Sequence, residues 1–166
     1  MNEQEAKDSV QELISMIHQQ PGWSGGINVG QKTRWFGRAL SAAALLSEGG
    51  TPEYVTGYFS EDGGMGVLHA FYGRSVITIR LEDGHEEEPK LTVTGRTRSG
   101  LRSLEVAVSD PIASGTGNWP GAVDVLAVYE DGRQLKLPVT ATGDDYRRAE
   151  LAAFVPSLRA DLSGGE

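Results

Sequence analysis

Tyr54-Val55-Thr56-Gly57-Tyr58-Phe59 opens the stretch whose reading decides the fold. Similar short runs follow at residues 67–72, 75–81, 91–94, 104–108, 123–129 and 134–137. Their apolar positions recur with a period near two, the mark of strands with one covered face. Turn residues punctuate them. Asp62-Gly63-Gly64 precedes the second run, Asp83-Gly84 closes the third, and Asp131-Gly132 joins the last two as a hairpin. Gly73 either bulges a strand or separates two. These spacings predict about seven antiparallel strands in a small, mostly β domain.

Helices flank the strands. Residues 2–20 carry Val10, Leu13, Ile14 and Ile17 at helical spacing, with Glu3, Glu5 and Asp8 in the first turns, where the helix dipole favours acids. Pro21-Gly22 stops that helix. A Gly-rich linker runs from Trp23 to about Gly30. A second helix over 32–48 has a wide apolar arc that includes Trp35, Phe36, Ala39 and Leu40, and Gly49-Gly50 ends it. A third helix over 145–162, capped by Asp144 or Asp145, carries Leu151, Phe154, Val155, Leu158 and Leu162 on one face. Pro156 should kink it or end its first segment. The expected division is an N-terminal helix and linker over 1–30, then a β domain over 31–166.

Composition narrows the function. The chain has 166 residues, no Cys and a formal charge of -8. That length buries a core without metal or disulfide staples. The lack of Cys removes thiolate zinc sites and Cys nucleophiles. The acidic balance opposes nucleic-acid binding, which needs a basic face. No apolar run reaches membrane-spanning length, and the acidic start is unlike a secretory signal. The expectation is a cytoplasmic protein. Eleven Arg against four Lys, with abundant Ala and Gly, suggests a bacterial or phage source.

Few residues carry chemistry. Arg96, Arg98 and Arg102, with Lys90 upstream, form an acid-free cationic stretch that can hold phosphate or an anionic head group, or else serve as a charged strand edge. Trp119, in a Gly- and Pro-rich loop, is either an interface anchor or a lid on the core. His85 beside Glu86, Glu87 and Glu88 is the only metal-like run, and a contiguous loop rarely converges on an ion. His69 lies between apolar neighbours with no nucleophile elbow near it. No catalytic residue, metal site or cofactor is expected. The stripe Val10, Leu13, Ile14 and Ile17 either docks on its own domain or associates with a second chain.

From residue 45 to 158 the chain resembles the bacterial pleckstrin-homology-like (PH-like) family. A helix runs through Ser47-Glu48-Gly49-Gly50-Thr51-Pro52 into a first strand. Gly66-Val67-Leu68-His69-Ala70-Phe71 then leads through a turn into Ser75-Val76-Ile77. A strand, an acidic Gly turn, a strand and a helix close the pattern over 123–158. The resemblance implies a seven-stranded bent barrel plugged by the C-terminal helix, behind the two N-terminal helices read from the spacing, and a binding function without shared catalytic residues. The expected role is a non-catalytic module for a protein or peptide, self-association included. The alternative is a small hydrolase or transferase that uses His69 on a small molecule.

Overall fold

A computed structural model of the chain describes residues 2–22, 29–109, 119–140 and 145–162, the side chains of 29–34 and 145 excepted. Most of the Gly-rich linker with Trp23, the middle of the loop before Trp119, Asp144 and the Ser163–Glu166 tail lie outside the described residues. The chain forms two compact units, Met1–Thr97 and Arg98–Glu166. The boundary expected near residue 30 falls inside the first of them.

The first unit begins with α1 (Glu3–Ile17), whose start is set by a capping box between Asn2 and Glu5. α2 (Val29–Leu46) follows, then the strands β1 (Tyr54–Phe59), β2 (Gly66–Phe71), β3 (Ser75–Glu82) and β4 (Lys90–Thr97). The four strands form one antiparallel meander in chain order. Register places Val55, Ala70, Ile77 and Gly95 in one row, and Gly57, Leu68, Ile79 and Val93 in another. Both rows belong to the face that α1 and α2 cover. Leu13, Ile17, Trp35, Ala39, Leu40 and Ala43 pack there with Phe59, Leu68, Ile77 and Leu81.

The stripe on α1 is therefore used inside its own unit. Leu13 and Ile17 are buried, and Val10 and Ile14 are half-buried against the same core. Ser9 adds a hydrogen bond of 2.7 Å to the Gly50 carbonyl. Of the two arrangements expected for this stripe, the structure has docking on its own unit, where two adjoining helices and a sheet face bury more apolar area than an isolated stripe.

The second unit holds β5 (Leu101–Val108), β6 (Val123–Tyr129) and β7 (Gln134–Leu137), again an antiparallel meander, followed by α3 (Asp145–Leu162). The Asp131-Gly132 hairpin forms as the sequence predicts, with Gly132 at φ 81°. Val123, Val125, Ala127 and Tyr129 alternate inward on β6, and Leu135 and Leu137 join them from β7. Leu151, Phe154 and Leu158 of α3 are buried, while Val155 is half-buried and Leu162 is exposed.

The expectation of strands and helices thus holds at the level of an α+β chain with seven described antiparallel strands. They do not close into one barrel. They form a sheet of four and a sheet of three. Helix α3 also runs on past Pro156. Proline removes one helical hydrogen bond, and side chains beyond it hold the last turns in place, as described next.

Candidate functional site

Arg98 was the centre of the cationic stretch, and its guanidinium is buried. The side chain is 2% exposed. Its Nε donates to Asp161 Oδ2 at 2.9 Å and its Nη2 donates to Ser157 Oγ at 2.8 Å. Its Cζ lies 5.3 Å from the centroid of the Phe154 ring. Ser157 and Asp161 are four residues apart on one face of α3, both beyond Pro156. A single arginine thus ties the post-proline half of α3 to the start of β5.

The other cations are placed differently. Arg96 is exposed on β4, in the first unit. Arg102 is exposed in the second unit, at the irregularity in pairing between Leu101 and Ser103. Lys90 reaches Glu82 on the adjacent strand at 3.5 Å. The phosphate-holding loop expected around Arg96, Arg98 and Arg102 meets a buried, ion-paired guanidinium at its middle.

His69 sits on the face of β2 turned away from α1 and α2. Its register row is Thr56, His69, Thr78 and Thr94, and its Nδ1 lies 2.9 Å from Thr78 Oγ1. The rows on either side hold Tyr54, Phe71, Val76 and Arg96, and Tyr58, Val67, Arg80 and Thr92. None of these is a carboxylate, so nothing in these rows orients the imidazole as a general base requires.

At one end of the first unit, Asp62 organises the turn between β1 and β2. It accepts from Ser60 Oγ at 2.6 Å and from the Gly64 amide at 3.0 Å, and His85 Nε2 lies 3.5 Å away. The Ser60 hydroxyl, then the Gly64 amide and His85, hold the carboxyl down at about 2, against an ordinary 3.8. Among the described residues no group of three or more His, Asp or Glu is arranged to hold a metal ion.

In the second unit a cavity of about 40 Å³ lies between the start of β6, Pro138 and the first turns of α3, where Arg147, Arg148 and Leu151 line it. That is room for a few waters rather than for an organic substrate. Trp119 is 58% exposed. Nearby, the Ser109 amide donates to the Ala122 carbonyl and the Ala122 amide donates to Ser109 Oγ. Trp119 therefore stands at the end of the sheet where β5 finishes and β6 begins. At the other end, burial pushes the Tyr129 phenol up, opposed by Arg133, whose Cζ lies 3.8 Å from the ring centroid.

The feature that sequence reasoning missed is the outer edge of β5. Among the described residues the strand pairs with β6 on one side only. Leu104, Val106 and Val108 are opposite Ala127, Val125 and Val123, so they continue the apolar face covered by α3. Yet Val106 and Val108 are 46% and 45% exposed. The remaining edges are managed. On β1, the Gln20 amide group donates to the Val55 carbonyl and accepts from the Gly57 amide, each at 3.1 Å, and the Pro21 carbonyl accepts from Phe59. β4 carries Lys90 and Arg96. β7 is four residues long and carries Lys136. Short length and cations are the usual guards of an edge. β5 has eight residues, and its two charges, Arg102 and Glu105, are of opposite sign.

No family model matches the chain, and neither does any curated protein or solved structure.

Proposed function

We propose that this protein is a non-catalytic binding module of PH-like type that recognises a protein or peptide through the outer edge of β5. One observation carries the reading: an unguarded edge strand whose apolar side chains are half-exposed beside a fully buried apolar row. An unpaired strand edge offers directional main-chain hydrogen bonds to any extended segment, and alternate side chains add selectivity. Exposed Trp119, near the end of the sheet where β5 finishes and β6 begins, supplies an aromatic anchor of the kind that dominates interface energetics. The order of elements, four strands, three strands and a closing helix, supports the PH-like assignment.

A protein partner is favoured over an anionic head group because the central cation, Arg98, is committed to Asp161. The test is capture of partners on the immobilised full chain, compared with Val106→Lys and Trp119→Ala, each checked for native circular dichroism. The expected result is a partner retained by the wild type and lost from Val106→Lys. Equal capture by both chains, or turnover of a small molecule that depends on His69, would refute the reading.

A further inference from the structure

We propose that the occupant of the β5 edge is the β5 edge of a second copy, paired antiparallel about a two-fold axis at Val106. The inference rests on the reading of β5 as a recognition edge and goes beyond it by naming the partner.

Directly opposite residues in an antiparallel pair lie on the same face. A two-fold pairing that keeps the Leu104, Val106 and Val108 face on one side must be centred on a residue, not between two. Centred at Glu105, it would put two carboxylates against each other, which is destabilising. Centred at Val106, it puts Val106 on Val106, Leu104 on Val108 and Glu105 on Ala107. Every apolar member of the exposed row then has an apolar partner, and neither Glu105 meets its own kind.

The inner face of the second unit points the same way. Val123, Val125 and Ala127 are buried, and the row ends at Val106 and Val108, which are not. A second β5 would extend that row across the axis and make one six-stranded sheet from two three-stranded ones. Among the described edges, β5 alone lacks what keeps strands from meeting their own copies: the cover on β1, the cations on β4, the short length and lysine of β7. So short an edge makes a weak, concentration-dependent dimer, of the small-interface class. Two chains of charge -8 repel each other at long range. Screening by salt therefore tightens the dimer, opposite to the behaviour of an interface held by ion pairs.

Sedimentation equilibrium of the full chain at rising concentration and at two salt concentrations tests this, with Val106→Lys alongside. The expected result is a monomer–dimer equilibrium that strengthens with salt. Val106→Lys should weaken it by roughly a hundredfold, since it places like charges directly across the axis. Because the chain has no Cys, Val106→Cys gives a single thiol per copy. Mild oxidation should convert it to a covalent dimer, and Lys136→Cys on β7 should not convert. A monomer at all concentrations that still captures a foreign protein, lost in Val106→Lys, would overturn self-pairing while leaving the binding edge in place. A dimer unaffected by Val106→Lys, with no cross-link through Val106→Cys, would overturn self-pairing too. A monomer that captures nothing would remove both readings.

Discussion

Arg98 shows what a single side chain can decide in this fold. Its guanidinium is out of water, and one carboxylate and one hydroxyl on α3 take its bonds. Removing one partner of such a pair costs more than the pair contributes, because the other charge stays buried and uncompensated. Arg98→Met should cost about 3 kcal/mol in urea unfolding, and the double change with Asp161→Leu should recover most of it. A loss below about 0.5 kcal/mol would place this arginine at the surface, where ion pairs contribute little. Asp62 makes a pH prediction. Its folded value lies below the ordinary 3.8, near 2. Its contribution is therefore complete above about pH 4 and is lost as pH falls toward 2. The stability gap between wild type and Asp62→Asn should be constant above that window and close within it. A gap that persists unchanged at the acid end contradicts the hydrogen-bonded turn. Neither role was legible from composition. Arg98 sits among other arginines in an acid-free run, and its partner Asp161 is 63 positions away. Only folding reveals which cation turns inward.

At the scale of elements, the strands and the turns at Asp62-Gly63-Gly64, Asp83-Gly84 and Asp131-Gly132 were legible because period-two alternation and Asp-Gly pairs act locally, whereas the division into two sheets was not. Helix ends were less so. Gly49-Gly50 reads as the stop of α2, and Gly49 is left-handed at φ 78°, but Glu48 before it is left-handed too, at φ 54°. The Gly49 amide reaches back to Ala44 and the Glu48 amide to Leu45, the paired bonds of a Schellman terminus. A side chain in that conformation is strained, so Glu48→Gly should raise stability by about 1 kcal/mol. Destabilisation by that change would mean the helix ends elsewhere. The closure of β1 was not legible at all, since it depends on Gln20 meeting a strand 35 positions on. Gly22 takes part: at φ 77°, a Cβ there would overlap the Phe59 carbonyl, so only glycine lets the turn lie along β1. Gln20→Ala should cost about 1–3 kcal/mol by leaving a buried Val55 carbonyl and Gly57 amide unbonded. An unchanged melting temperature would argue against the edge cover.

For the whole molecule, the reading turns on a contrast between two edges of the same kind. One is closed by the chain's own glutamine and proline carbonyl. The other is long, apolar on one face and, among the described residues, open. Periodicity could not distinguish them, because alternation gives the face of a strand but not its neighbours. Amide hydrogen exchange at low protein concentration compares the two edges directly. Strong protection is expected of the β1 amides Gly57 and Phe59. Rapid exchange is expected of those amides between Leu104 and Val108 that point away from β6, slowing as protein concentration rises. Full protection of that β5 segment at every concentration would show the edge already covered within the chain, and would contradict the account at its centre.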